Sequence, residues 1–282
     1  MNTQPSLREA LAQAAAAGVE RLDAQRLLQH LLQQSRAWLL AHDDEQLSAA
    51  QAAAWQALLA RRAAGEPLAY LTGERDFHGL PLQVSPAVLV PRPDTETLVD
   101  WALELLAGPW AHTACPQVAD LGTGSGAIAL AVKQACPRAS VRASDLSAAA
   151  LAVARGNGQR LALQVDWLAG LWWQPYGPPA LHLALSNPPY IEAGDPHLPA
   201  LRHEPLSALV PPGGDGLAAL REIIQGAPLH LAAGGWLLLE HGHDQADAVA
   251  ALLRQRGFAQ VQHRRDLGGH RRCTSGCWPD AT

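Results

Sequence analysis

The tetrapeptide Asn-Pro-Pro-Tyr at 187–190 combines residue types that can bind a planar amino group. It follows an alternating apolar run at 181–185, which predicts a buried strand that ends at this point. Because a following proline disfavours helix, Asn187 is expected in extended geometry at the carboxyl end of that strand. Its carboxamide and the Pro188 carbonyl could each accept a hydrogen bond from an NH₂ group, and Tyr190 offers an aromatic face for stacking. The alternative interpretation is an ordinary Asn-Pro turn.

A glycine-rich turn at 122–126 follows a short apolar strand predicted at 117–121 and opens an apolar helix. Glycines allow positive φ and let a ligand approach the backbone, while the helix N-terminus presents its N–H groups to that ligand. A second predicted strand ends at Asp145, where a carboxylate can bind a ribose diol. The pattern indicates a nucleotide-like cofactor. Since the turn also fits G-x-G-x-x-[G/A], NAD is one candidate.

The two motifs are expected to converge. In a doubly wound sheet of order 3-2-1-4-5, the first and fourth strands are neighbours at the switch point, and ligands bind at their carboxyl ends. The glycine turn follows the first strand and Asn187 follows the fourth. A third predicted strand at 161–165 ends before Trp167, which either meets an adenine ring or belongs to the core.

Other stretches predict the remaining organisation. Residues 6–62 carry apolar positions at helical spacing and predict several short helices, one of them capped by Ser48. A Gly- and Pro-rich stretch from residue 65 predicts a hairpin-containing linker, after which Asp94 or Thr95 caps a helix. The Pro- and His-rich segment 191–214 is expected to form a loop that closes over the site.

Composition excludes several classes of function. The 282 residues carry a net charge of −5, so no general basic coat is available for nucleic acid, and no stable nucleic-acid binding is expected. Four scattered cysteines do not make a disulfide framework, and no apolar run is long enough to span a bilayer. Glu240, His241 and His243 lack a fourth ligand at defined spacing, so no metal is expected. The chain is interpreted as a cytoplasmic monomer.

Three motifs together carry a family resemblance. VPRPDTE at 90–96, DLGTGSGAIAL at 120–130 and SNPPYI at 186–191 occur in this order behind a helical N-terminal region. In this the chain resembles the release-factor glutamine methyltransferases (the HemK/PrmC family), which are class I S-adenosylmethionine-dependent methyltransferases, over nearly its whole length. The C-terminal GGHRRCTSGCW departs from the Gly-Arg ending usual in that family, which leaves the last strand undefined.

The resemblance implies an architecture and an activity. The fold would be a Rossmann-like α/β sheet of seven mostly parallel strands, with a small all-α N-terminal bundle joined by a β-hairpin linker. Residues 1–72 would recognise the substrate, 73–90 would be the linker, and 91–282 would form the methyltransferase domain. The enzyme would methylate the side-chain amide nitrogen (N5) of the glutamine in the Gly-Gly-Gln motif of class I peptide chain release factors. Its cofactor would be S-adenosylmethionine, with S-adenosylhomocysteine as product.

The family's site residues are carried over by matching motifs. Those assigned to cofactor binding are Gly122, Thr123, Gly124, Ser125, Gly126, Asp145, Trp167 and Asn187. Those assigned to catalysis and to substrate binding are Asn187, Pro188, Pro189 and Tyr190. The alternatives are a ribosomal-protein glutamine methyltransferase, an adenine-N6 nucleic-acid methyltransferase that flips its base, an NAD-dependent oxidoreductase and a non-catalytic interaction protein.

Overall fold

The computed structural model describes residues 4–178, 180–213 and 215–279. The chain divides into two compact units, one ending at Glu74 and the other beginning at Arg75. None of the helices in these described stretches is long and apolar enough to cross a membrane.

The first unit is helical. Its helices are α1 (Leu7–Ala16), α2 (Arg21–Leu32), α3 (Arg36–Ala41), α4 (Ala49–Ala63) and α5 (Leu68–Thr72). The apolar stripes of these helices meet around Trp55, which is completely buried. The predicted cap at Ser48 is confirmed, since its hydroxyl accepts from Gln51 N and the Gln51 side chain accepts from Ser48 N.

The second unit is an α/β structure. A two-stranded sheet, β1 (Glu74–Phe77) and β2 (Leu80–Gln83), lies in the chain where the two units join. The large sheet consists of β3 (Gln117–Leu121), β4 (Ser140–Asp145), β5 (Asp166–Ala169), β6 (Leu181–Ser186), β7 (Leu231–Glu240), β8 (Ala259–Arg265) and β9 (Arg271–Cys277). Its helices are α6 (Glu96–Ala107), α7 (Ala127–Ala135), α8 (Ala148–Arg160), α9 (Ala218–Gly226) and α10 (Ala246–Arg256).

The large sheet has the order β5-β4-β3-β6-β7-β9-β8. All its neighbours are parallel except β9, which runs antiparallel to β7 and β8. The predicted Rossmann-like sheet of seven mostly parallel strands is therefore confirmed. The central strands β3 and β6 are buried along nearly their whole length, as expected for parallel strands covered by helices on both faces. The register pairs Leu121 with Ser186, so the turn after β3 lies beside Asn187.

One predicted strand was wrong. The run at 161–165 is not a strand, because α8 extends to Arg160 and Ala162 adopts a left-handed φ of 55°. Strand β5 begins only at Asp166, which pairs with Arg142 of β4. Trp167 therefore lies near the start of β5 and not beyond the end of a strand.

Thr95 occupies the predicted N-cap position of α6 but does not cap it through its side chain. A short 3₁₀ turn, Pro93–Thr95, precedes α6, and the Thr95 side chain makes no capping hydrogen bond. It contacts Asn187 instead. The atypical C-terminal sequence forms β9, which inserts between β7 and β8 and supplies the buried residues Cys273 and Thr274.

Candidate active site

A cavity of about 570 Å³ opens at the carboxyl ends of the central strands. The turn after β3, the end of β4 and Asn187 after β6 all contribute to its wall. The predicted loop at 191–214 contributes too, through Pro205, Ala208 and Val210 among others. The switch point of the sheet thus brings together the two motifs that the sequence separates, as predicted.

The glycine turn is held by the neighbouring strand. The N–H groups of Gly122 and Thr123 both donate to the Ser144 carbonyl, each at 2.9 Å. Gly122, Gly124 and Gly126 have φ values of 74°, 56° and 83°, which side chains rarely tolerate. All five residues of the turn were predicted to bind the cofactor. Four of them line the cavity, namely Gly122, Thr123, Gly124 and Ser125.

Gly126 is packed closely against its neighbours. A Cβ atom there would lie 2.9 Å from the Trp167 ring and 3.1 Å from Leu130. The absence of a side chain at Gly126 therefore lets the start of α7 pack directly against the Trp167 ring.

The Asp120 carboxylate stabilises the glycine turn through two hydrogen bonds. Its carboxylate accepts from the Thr123 hydroxyl at 2.6 Å and from Ala129 N at 3.2 Å, which ties the turn to the first residues of α7. Burial raises the Asp120 pKa to about 7. Sequence reasoning did not identify this residue, although its place before the glycine turn is a recognisable signal.

Asp145 lies at the end of β4 and lines the cavity, as predicted. Its two oxygens accept from Gly124 N at 2.9 Å and Ser147 N at 2.8 Å. Burial raises the pKa of Asp145, while these two N–H groups oppose that shift. Each carboxylate oxygen keeps a second lone pair, so the group can still accept from a ligand hydroxyl.

Asn187 lines the cavity, and its carboxamide makes one described hydrogen bond. Its Nδ2 donates to the Thr95 hydroxyl oxygen at 3.2 Å. Among the described residues, no donor reaches Asn187 Oδ1 or the Pro188 carbonyl. Neither oxygen is therefore occupied by a described donor, and an NH₂ group requires two acceptors of this kind.

The rest of the tetrapeptide has different surroundings. Pro189 lines the cavity, whereas Pro188 is buried behind it. Tyr190 is not among the described lining residues. Its hydroxyl donates to Glu240 Oε1 at 3.3 Å, and burial raises the Tyr190 pKa. The predicted aromatic face of Tyr190 thus packs within the protein.

Trp167, which the family resemblance places beside adenine, is not among the described residues that line the cavity. Its ring packs against Gly126 and Gly158, where a Cβ would meet it at 2.9 Å and 3.1 Å. The later start of β5 is the reason, because it places the end of this strand at Ala169. The indole that reaches the cavity is Trp172, which sequence reasoning missed.

Trp172 is fixed in place from two directions. Its Nε1 donates to Glu222 at 3.2 Å, and the Ser144 hydroxyl donates to its carbonyl at 3.3 Å. Its ring lies against Gly122, since a Cβ there would lie only 3.0 Å away. Gly122 thus leaves room for an indole at the edge of the cavity. The residue was hard to find because no strand end marks it in the sequence.

Arg92 and Glu204 connect the two segments that flank the cavity. The Arg92 guanidinium pairs with Glu204, whose other oxygen accepts from Val90 N at 3.0 Å. Glu204 is buried and directly precedes Pro205, which lines the cavity. Among the described lining residues, Arg92 and Asp145 are the charged ones. No cluster of three or more metal-ligating side chains occurs in the described part of the chain.

Comparisons with known proteins agree with this geometry. A family model described as the PrmC N-terminal domain matches residues 6–73, and one described as the methyltransferase small domain matches residues 95–203. A release factor glutamine methyltransferase of Bordetella pertussis is 53% identical over 264 residues, covering 92% of this chain and 95% of its own. The chain belongs to the release factor glutamine methyltransferase family.

Further relatives of the same family extend over the whole chain. The release factor glutamine methyltransferase of Escherichia coli K12 is 43% identical and covers 98% of this chain and 99% of its own. Solved structures share the fold at low identity. A methyltransferase from Pyrococcus furiosus, at 17% identity, has a TM-score of 0.52 over 71% of this chain and 90% of its own. The hMettl16 catalytic domain, at 15% identity, reaches 0.57 over 83% of each chain.

Two glycines of this family site are expected to respond differently to alanine. Gly126→Ala should lower the free energy of unfolding by about 1–3 kcal/mol, because its Cβ overlaps Trp167 and its φ is left-handed. Gly124→Ala is the matched control, since it shares the left-handed φ but its Cβ meets no atom within 4 Å, and the residue lines the cavity. It should weaken ligand binding more than it lowers stability. Chemical denaturation and calorimetry distinguish the two; equal losses of stability would contradict this assignment.

Proposed function

We propose that this protein transfers a methyl group from S-adenosylmethionine to the side-chain amide nitrogen of the glutamine in the Gly-Gly-Gln motif of class I peptide chain release factors. The observation that carries the proposal is that Asn187 and the glycine turn line one cavity, while no described donor occupies Asn187 Oδ1 or the Pro188 carbonyl. Membership of the release factor glutamine methyltransferase family supports the same substrate.

The cavity suits S-adenosylmethionine in size and charge. Its volume of about 570 Å³ lies within the range of ligand pockets, roughly 300–1,000 Å³. Asp145 would bind the ribose hydroxyls, the turn at 122–125 would hold the neighbouring atoms, and Trp172 would cover a planar ring. Arg92 and Asp145 are the charged residues of the described lining, and the Arg92 guanidinium is paired with Glu204.

The chemistry requires orientation more than activation. S-adenosylmethionine supplies a methyl group on a positively charged sulfur, which is already electrophilic. The amide nitrogen is a weak nucleophile because its lone pair is delocalised into the carbonyl. By accepting both N–H hydrogens, Asn187 and Pro188 would hold the NH₂ group with its lone pair facing the methyl group. Such positioning can contribute roughly 7–11 kcal/mol at its upper limit.

The described lining of the cavity offers no dedicated general base beside the amide. Asp145 is the carboxylate among the described lining residues, and its remaining lone pairs are proposed to bind the ribose hydroxyls. The proton is therefore expected to leave after methyl transfer, when the nitrogen has become acidic. Asn187 and Pro188 would act in the transition state, where their acceptors favour a localised lone pair.

The helical region is proposed to bind the protein substrate. Deleting residues 1–72 should raise KM for the release factor while binding of S-adenosylmethionine is retained by the remaining domain. The physical reason is that the glutamine alone offers a small contact surface, so affinity must come from a second site. Steady-state kinetics and calorimetry on the truncated chain test this. An unchanged KM in a folded truncated protein would contradict the role of residues 1–72.

The reaction is proposed to occur in the cytoplasm, with the enzyme acting as a monomer. A direct test uses S-adenosylmethionine labelled in its methyl group and three acceptors in parallel: a class I release factor, ribosomal proteins and adenine-containing DNA. Label is expected in the release factor. Transfer to ribosomal protein or to DNA, with the release factor unlabelled, would replace the proposed substrate. Failure to bind the cofactor by calorimetry would overturn the methyltransferase proposal itself.

A further inference from the structure

Asn157 is a buried polar residue that the proposed chemistry does not use. It lies in α8, and none of its surface is exposed to solvent. A carboxamide in the protein interior is costly unless its acceptor and its two N–H donors are paired. The Asn157 oxygen and both of its N–H hydrogens have partners, and these partners indicate the role of the residue.

On one side the Asn157 carboxamide is bonded to the β-hairpin formed by β1 and β2. Its Oδ1 accepts from Gln83 N at 2.7 Å, and its Nδ2 donates to the Gln83 carbonyl at 2.9 Å. Gln83 is the last residue of β2, and both of its backbone groups are therefore occupied by one side chain. Because a reversed carboxamide would place donor against donor and acceptor against acceptor, these two bonds fix the orientation of Asn157.

On the other side Asn157 reaches the glycine turn. Its Nδ2 also donates to the Ser125 carbonyl at 3.0 Å, and Ser125 lines the cavity. The preceding residue of the turn is held as well, since Gly124 N donates to Asp145 at 2.9 Å. Two consecutive residues of the turn are thus fixed by side chains that lie just before α8 and within it. Asn157 alone connects this turn directly to the hairpin among the described hydrogen bonds.

The hairpin is itself held firmly, so it can serve as a support. Phe77, Leu80 and Leu82 are buried in the same apolar core as the residues of α7. At the tip of the hairpin, His78 N donates to Glu96 Oε1 of α6 at 2.9 Å. Phe77 also lines the cavity. The stretch that the sequence predicts as a hairpin-containing linker therefore contributes to the wall of the site.

We propose that Asn157 is a positioning residue for the cofactor: it ties the glycine turn to the β-hairpin and so keeps the turn in its binding conformation when no ligand is present. That the ligand is S-adenosylmethionine rests on the proposed function, whereas the connection itself does not. Without Asn157 the ligand would have to order the turn on binding, which lowers affinity. The loss should therefore appear in cofactor affinity and not in the rate of methyl transfer at saturation.

The connection can be measured without ligand through hydrogen exchange of the amide of residue 83. Asn157→Leu removes the acceptor of this amide, which should then exchange faster by about 10-fold or more. Gln83→Ala is the control, because the exposed Gln83 side chain takes no part in the two bonds to Asn157. The amide of residue 83 should remain as slow in this variant as in the wild type.

Cofactor binding is measured by calorimetry with S-adenosylhomocysteine. Asn157→Leu should raise its Kd by about 10- to 100-fold, because the Ser125 carbonyl loses a buried hydrogen bond and the turn loses its support. With release factor as substrate, KM for S-adenosylmethionine should rise with it, while kcat at saturating cofactor changes little. Asn157→Asp keeps an acceptor for Gln83 N but has at most one donor for the two carbonyls, so its loss of affinity should be smaller.

A second control separates affinity from stability. Thr274→Val removes a completely buried hydroxyl that lies 2.6 Å from His241 Nε2 and 2.9 Å from His263 Nδ1. This variant should also lower the free energy of unfolding, but it should leave the Kd for S-adenosylhomocysteine unchanged. A rise in Kd that is equal in Thr274→Val and Asn157→Leu would mean that Asn157 acts only through global stability, and it would overturn the positioning role.

The other outcomes are equally decisive. An unchanged exchange rate at residue 83 in Asn157→Leu would overturn the connection, and an unchanged Kd would overturn its effect on the cofactor. If Asn157→Leu does not fold, Asn157→Asp decides by the same two measurements. A wild-type protein that does not bind S-adenosylhomocysteine would refute the proposed function and with it the cofactor role of Asn157, while exchange at residue 83 would still decide the connection.

Discussion

Replacing Asn187 by alanine should lower turnover by about 100- to 1,000-fold while leaving cofactor affinity nearly unchanged. The residue lines the cavity, and no described donor occupies its Oδ1. If Asn187 binds the substrate as proposed, its loss would remove one of two hydrogen bonds to the NH₂ group and let the nitrogen rotate away from the methyl group. The measurement is kcat under saturating release factor and cofactor.

Calorimetry with S-adenosylhomocysteine provides the control for this variant. Equal affinity in wild type and Asn187→Ala would show that the loss of rate lies in the chemical step. A variant with normal cofactor binding and full turnover would refute the assignment of Asn187 as the amide-binding residue.

Replacing Asp145 by alanine should raise the cofactor Kd by about 10- to 100-fold. A hydrogen bond to a charged group is worth roughly 1.5–3 kcal/mol, and each 1.4 kcal/mol corresponds to a factor of ten. The carboxylate lies at the end of β4 and lines the cavity, so it would accept from the ribose hydroxyls. The effect should appear in Kd from calorimetry.

Asp145 also binds Gly124 N and Ser147 N, so its loss could act through the turn instead of the ribose. A cofactor analogue that lacks the ribose hydroxyls separates these effects. If Asp145 binds the diol, the analogue should bind wild type and Asp145→Ala with nearly the same affinity. An equal loss for both ligands would contradict diol binding.

The central part of the fold could be predicted from the sequence because its signals are local. The alternating apolar run before Asn187 and the apolar strand before the glycine turn both occur as predicted, in β6 and β3. The order of these strands follows from the general topology of doubly wound sheets, so the meeting of the two motifs was predictable as well.

The errors arose where a local pattern was weak. The run at 161–165 contains apolar residues, but the end of α8 and the left-handed Ala162 delay the strand until Asp166. Because of this shift, Trp167 is not among the residues that line the cavity, whereas Trp172 is. Both tryptophans lie in one short segment, and the sequence offers no signal that distinguishes them.

The contacts behind Asn187 could not be predicted because they are non-local. Thr95 precedes Asn187 by 92 positions, and its type and place suggested a helix cap. In the sequence, Glu240 was considered only as a possible metal ligand at the end of a predicted strand. Because β6 pairs with β7, Glu240 lies next to Asn187. This proximity can be seen only from the register of the two strands in the structure.

The most direct test of the account is tandem mass spectrometry of a purified class I release factor after incubation with this protein and S-adenosylmethionine. The account predicts one added methyl group on the side chain of the glutamine in the Gly-Gly-Gln peptide, and none when that glutamine is replaced by glutamate. An unmodified Gly-Gly-Gln peptide, or a methyl group on any other residue, would contradict it.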